Sequence, residues 1–263
     1  MNKPKAVISL FDLTGEMVKP WAKTHTTFQF DMQHPDGLTV WPPSTLHRLS
    51  CRVGGDASTW SDRIAKIFAD FEVSMVFGFP PCTDLAISGA GHFAAKAAAN
   101  PSYRADAMEL VYLTHDMANL NFPLEDAPIH GVPFMIENPV SVISTEWRKP
   151  DYMFQPCDYG GYLPEVGDVS PYPDVIPARD AYTKKTCLWT GNGFVMPEAR
   201  PVEPVKYTDS NGLNYSGPAW RLGGKSLRTK NIRSATPRGF ARAVFEANAS
   251  PRTCAQKMIK EIA

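Results

Sequence analysis

The feature that most constrains this chain is a repeated change of pattern. Short apolar, β-rich runs stop at polar or glycine-bearing turns and then give way to helical spacing. Val7-Ile8-Ser9-Leu10-Phe11 ends at Asp12-Leu13-Thr14-Gly15, and 26–30 ends at Asp31. The run 73–77 breaks at Gly78-Phe79-Pro80-Pro81-Cys82, and Pro133-Phe134-Met135-Ile136 ends at Glu137-Asn138-Pro139. Ile64, Ile67 and Phe68 recur at helical intervals over 62–71, as do Ala107, Leu110, Val111, Thr114 and Met117 over 103–120. Residues 237–247 carry Phe240, Val244 and Phe245 for docking a further helix. Strands that alternate with helices predict an open, mostly parallel α/β sheet. Residues 16–23 read as a short helix limited by Pro20. Residues 32–50, with Pro35, Pro42 and Pro43, read as loop.

Ligands of such sheets bind beyond the carboxyl ends of the strands. The polar residues that follow each run therefore form one candidate set: Asp12, Thr14 and Gly15, then Asp31, Cys82 and Glu137. Past Pro150 prolines become frequent and long apolar runs disappear. This predicts a main domain of residues 1–149 and 225–263, with a small loop-rich lobe at 150–224.

Charge and cysteines exclude several classes. Lys+Arg 27 against Asp+Glu 27 gives zero net charge, which excludes a polyelectrolyte that coats nucleic acid by bulk charge. The stretch 221–242 nevertheless holds Arg221, Lys225, Arg228, Lys230, Arg233, Arg238 and Arg242 without one acid. A solvated face is the plain explanation; phosphate contact is the competing one, with Arg148, Lys184 and Lys185 as further cations. Cys51, Cys82, Cys157, Cys187 and Cys254 include no C-x-x-C pair. That argues against a disulfide framework and a structural zinc site, and for a reducing cytoplasm. His92 and His115 stand alone, so no metal is expected. No apolar run reaches membrane length.

Three of these strand ends resemble motifs of the DNA cytosine-5 methyltransferases. Phe11-Asp12-Leu13-Thr14-Gly15 resembles their opening glycine motif. Pro80-Pro81-Cys82, with Ser88-Gly89 following, resembles the nucleophile motif, and Ile136-Glu137-Asn138-Pro139 the Glu-Asn-Val motif. Pro-Pro-Cys-Thr, the stretch 137–145 and Thr-Lys-Lys-Thr-Cys-Leu-Trp at 183–189 are similar to compact phage-type members. The family's Gln-x-Arg-x-Arg and Gly-Asn-x-Val motifs are absent here; Lys184-Lys185 and Ser234-Ala235-Thr236-Pro237 stand in their place.

The resemblance implies a Rossmann-like methyltransferase fold that uses S-adenosyl-L-methionine on a cytosine flipped out of duplex DNA. Cys82 would add to carbon 6 of the ring, and Glu137 would meet N3 and the exocyclic amino group. Asp31 would hold the cofactor's ribose and Asp56 its adenine. The backbone around Phe11 and Gly15, with Asp12, Thr14 and Pro80, would take the remainder. Ser88, Asn138, Arg148, Lys184, Lys185, Arg228 and Arg233 would face the substrate. A monomer or weak dimer in a bacterial or phage-infected cytoplasm is the implied setting. With no dedicated recognition domain apparent, two alternatives stand beside this reading. One is the same chemistry on free nucleotides or single strands; the other is a non-catalytic nucleic-acid-binding relative.

Overall fold

In the computed structural model, residues 3–45, 48–119, 131–208, 212, 214–217, 222 and 226–249 are described. Eight strands form the main sheet: β1 (Lys5–Leu10), β2 (Thr26–Phe30), β3 (Gly37–Thr45), β4 (Arg48–Gly54), β5 (Glu72–Gly78), β6 (Phe134–Pro139), β7 (Tyr152–Phe154) and β8 (Thr186–Gly191). Their order is β3-β4-β2-β1-β5-β6-β8-β7. β4, β2, β1, β5 and β6 are parallel neighbours, and β3 and β8 run against them. Counting the parallel strands alone, the order is that of a doubly wound α/β fold, with its switch point between β1 and β5. The mostly parallel α/β sheet expected from the sequence is therefore present.

Alternation along each strand buries both faces of the sheet. Ile8, Val76, Ile136 and Trp189 point into one core, while Val7, Met75, Met135 and Leu188 point into the other. The first core is covered by α1 (Trp60–Asp70) and α3 (Tyr103–Ala118), which α2 (Phe93–Ala99) precedes. α4 (Ile143–Glu146) is a single turn after β6, and α5 (Leu227–Ser234) leads to α6 (Arg238–Asn248) across the second core. Phe240 of α6 is fully buried and stacks on Phe154 of β7, centroids 4.0 Å apart. Burial of one such side chain contributes about 1.5–3 kcal/mol.

Three expectations are corrected. Residues 32–50 are not a loop, because β3 pairs antiparallel with β4. Proline is tolerated there since β3 is an edge strand whose outer N–H positions need no partner, and the register shifts between Trp41 and Thr45, where Pro42 and Pro43 fall. The helix expected at 16–23 shrinks to turns and one 3-10 turn, Trp21–Lys23, since Pro20 has no N–H to continue it. The boundary at 150 also moves: β7 and β8 belong to the main sheet. What remains of the lobe has its own small core of Val175, Ile176, Tyr182, Leu222 and Ile232, which docks α5.

Candidate active site

The switch point gathers the strand ends. β1 hands over to a turn in which Phe11 takes a positive φ of 59°, unusual for a residue with a side chain. Asp12 closes that turn from within: Oδ2 accepts from the Ser9 hydroxyl at 2.8 Å and Oδ1 from the Gly15 N–H at 2.7 Å. Burial, the largest effect, raises the Asp12 carboxyl to about 6. Gly15 has φ +68°, and a Cβ there would lie 2.6 Å from Gln29 Oε1. Thr14 is half-buried beside it.

Asp31, at the end of β2, is buried, and burial raises its pKa. Its Oδ1 accepts the Gln33 N–H at 2.8 Å, and no hydrogen bond engages Oδ2 among the described residues. Asp56, after β4, is exposed and caps the turn before α1. Its Oδ1 accepts the Ser58 N–H at 2.8 Å and the Ser58 hydroxyl at 2.6 Å, and these bonds lower its pKa.

Cys82 follows β5. Of the described cysteines it alone is exposed; Cys51, Cys157 and Cys187 are buried. Its surroundings still desolvate it enough to raise the thiol pKa; Lys184 opposes that shift and Glu137 adds to it. Glu137, near the end of β6, is raised by burial and lowered by Lys184. Lys184 Nζ lies 3.9 Å from Glu137 Oε1 and donates to the Arg233 carbonyl at 3.0 Å. Topology explains its arrival: β8 is antiparallel to β6, so the residues entering β8 lie where β6 ends. Arg233 also lowers the Cys82 pKa, as the smallest of these influences.

The loop that carries Cys82 is tied to the next strand by backbone and side chain. Asn138 is buried and donates from Nδ2 to the Pro80 carbonyl at 2.8 Å, while its Oδ1 has no partner among the described residues. Ile87 N–H reaches the Val140 carbonyl at 3.0 Å, and Val142 N–H reaches Leu85 at 2.9 Å. Ser88, on the 3-10 segment Ile87–His92, is exposed. Gly78 is needed where β5 ends, because a Cβ would collide with the Thr114 side chain.

Other expected residues lie apart. Arg148 donates from Nη1 to both carboxylate oxygens of Asp151, at 2.7 and 2.8 Å, and from Nη2 to the Thr190 carbonyl, opposite Met135 and back from the carboxyl end of β6. Lys185 is exposed. Arg228 pairs with Asp174 at 2.7 Å, Arg242 with Glu246 at 3.0 Å, and Arg238 with both Asp168 and Asp180. The acid-free run thus draws its acids from elsewhere in the chain; Arg221 and Lys225 lie outside the described residues. Sequence reasoning missed Tyr182, whose hydroxyl is buried and feels the charge of Glu137. It also missed His34, held near Asp12 and Arg52 with its pKa lowered by burial to about 4. Their signal was weak, since neither directly follows a predicted strand.

Among the described residues no group of three or more His, Cys, Asp or Glu could hold a metal. No helix there is long and apolar enough to cross a membrane. No protein-family model matches the chain, and no curated protein matches it. Among solved structures, a candidate DNA modification methyltransferase encoded within an E. coli prophage is similar at 14% identity and a TM-score of 0.39. The alignment covers 71% of this chain and 46% of that one, so the chain spans under half the neighbour's length.

Proposed function

We propose that the protein is an S-adenosylmethionine-dependent DNA methyltransferase acting at carbon 5 of cytosine. The observation that carries the reading is Cys82 and Glu137 on the ends of adjacent parallel strands, with Lys184 beside Glu137. Carbon 5 of cytosine is too electron-poor to take a methyl group directly. Addition of the Cys82 thiolate to carbon 6 makes carbon 5 nucleophilic. Negative charge then builds at N3, where Glu137 lies to offset it by delivering a proton; burial raises its pKa and so favours that delivery, while Lys184 opposes it. Lys184 lowers the Cys82 pKa, so a cation next to the pair favours the thiolate. After transfer, loss of the C5 proton to water breaks the Cys82–C6 bond and restores both ring and thiolate.

The strand ends fit the cofactor. Asp31 offers an unengaged carboxylate oxygen suited to ribose hydroxyls, and the turn of Phe11, Asp12, Thr14 and Gly15 offers backbone close to the ligand's amino-acid end. Asp56 and Pro80 complete the set we assign to it. When bound, S-adenosylmethionine supplies an electrophilic methyl group. Duplex DNA requires the cytosine to leave the stack.

The test is mass spectrometry of nucleosides from DNA incubated with protein and S-adenosylmethionine. We expect 5-methylcytosine from the wild type and none from Cys82→Ala. Binding of S-adenosylmethionine without 5-methylcytosine on duplex, single strand or nucleotide would overturn the reading. A single-stranded or nucleotide substrate is the second reading. It is favoured by the engagement of Arg228, Arg238 and Arg242 with acids, which leaves fewer cations for duplex phosphates.

A further inference from the structure

The face of the sheet that turns toward α6 changes character along the strand order. Val7 of β1 is apolar and buried, but its register partner is Thr27, and Ser9 is partnered by Gln29. One strand further out, Ser50 lies opposite Thr27 and Arg52 opposite Gln29. In the doubly wound pattern a helix after β1 would cover this face; among the described residues the turns around Val18 and the 3-10 segment do so here. A hollow remains between those turns and β2–β4, bordered by Val18, Ala22 and Trp41.

Three of its polar groups are unsatisfied among the described residues. Thr27 is 0% exposed and Gln29 6%. Among the described residues, the Thr27 hydroxyl, the Gln29 amide oxygen and Arg52 Nε all lack a hydrogen-bond partner. Arg52 stacks on Trp41, its guanidinium carbon 3.8 Å from the ring centroid, and has no ion pair among the described residues. The neighbouring Lys19 is already paired with Glu16. Burial lowers the Arg52 pKa and the Asp12 carboxylate offsets this only in part, without a direct ion pair. Thr27, Gln29 and Arg52 can all donate, since an amide's oxygen and nitrogen exchange places by a flip of the side chain.

We propose that this hollow binds a small oxyanion: a phosphate group, free or carried by a mononucleotide. Trp41, 47% exposed and stacked by Arg52, borders the hollow where a group attached to that phosphate would emerge. The site lies under the Gly15 turn, against which Gln29 packs; Thr14 and Gly15, which we also assign to the cofactor, line it, and Cys82 and Glu137 do not.

The test is an NMR titration of the 15N-labelled full chain, following Arg52 Nε–H and the Trp41 indole N–H. The probes are inorganic phosphate and uridine monophosphate, with potassium chloride at matched ionic strength as control. We expect saturable shifts at both reporters with a Kd on the order of 1 mM, and no response of Arg228 Nε–H, which sits in a surface ion pair. Arg52→Met should weaken binding at least tenfold; should that variant misfold, the contrast between Arg52 and Arg228 in the wild type decides. Tighter binding of uridine monophosphate identifies a nucleotide ligand, and equal binding a free phosphate. The absence of saturable shifts, equal shifts at Arg228, or undiminished binding by a folded Arg52→Met would overturn the proposal.

Discussion

Cys82 and Glu137 oppose one another electrostatically, and that opposition can be measured. Glu137 raises the thiol pKa and Lys184 lowers it. Glu137→Gln should therefore speed iodoacetamide alkylation of Cys82 at pH 8 by several-fold, and Lys184→Met should slow it. Both changes should lower methyl transfer, so reactivity and activity part company in the first variant. Equal alkylation rates in all three proteins would mean that the cluster does not control the thiol. Asp12 gives a second residue-scale prediction. Its folded pKa, about 6, lies above the ordinary value of 3.8, so the fold favours the protonated form. The resulting stability is full below pH 3.8 and is lost as pH rises through 6. The loss is about 2–3 kcal/mol at the upper end. Asp12→Asn should remove that dependence, read as the difference in urea midpoints between wild type and variant from pH 4 to 7.5.

The elements explain how much of this was legible. Each strand whose end carries chemistry announced itself: β1, β5 and β6 are largely apolar runs because both their faces are buried, and β2 is a β-rich run that alternates polar and aromatic residues. Cys82 and Glu137 could be read because they directly follow such runs. β3 and β4 were hidden, since an edge hairpin keeps prolines and polar residues that a central strand excludes. The alternation of Thr27, Gln29, Ser50 and Arg52 with Phe28, Phe30, Cys51 and Val53 became meaningful only once the register aligned them. Lys184 was suspected from its motif, but its position follows from the antiparallel pairing of β8, which no local pattern discloses. Two substitutions test the elements' joints. Asn138→Ala removes the bond to the Pro80 carbonyl and should cost about 1–3 kcal/mol, seen as a lower Tm. Gly239→Ala sets a methyl group against the Tyr159 carbonyl at the start of α6, and backbone there cannot yield. A loss of about 1–3 kcal/mol is expected; an unchanged Tm would mean that the α6 contact is looser than described.

At the scale of the whole molecule, zero net charge conceals pairing between distant segments. Asp168, Asp174 and Asp180 of the lobe hold Arg228 and Arg238, so the cationic stretch fastens α5 and α6 to the lobe. If Lys185, Lys230 and Arg233 carry the phosphate contacts, log Kd for duplex DNA should change with log salt by a slope of magnitude about 3, against about 6 for seven contacts. A slope near 6 would mean that the ion pairs open on DNA. The central claim is that Cys82 forms a covalent bond to cytosine, and trapping tests it most directly. The protein is incubated with S-adenosylmethionine and an oligonucleotide bearing 5-fluorocytosine, from which the C5 substituent cannot leave as a proton. Intact-mass and peptide spectrometry then locate any adduct. The account predicts a methylated adduct on the peptide containing Cys82, and none for Cys82→Ala. An adduct on another residue, or none from wild-type protein that methylates ordinary DNA, would contradict it.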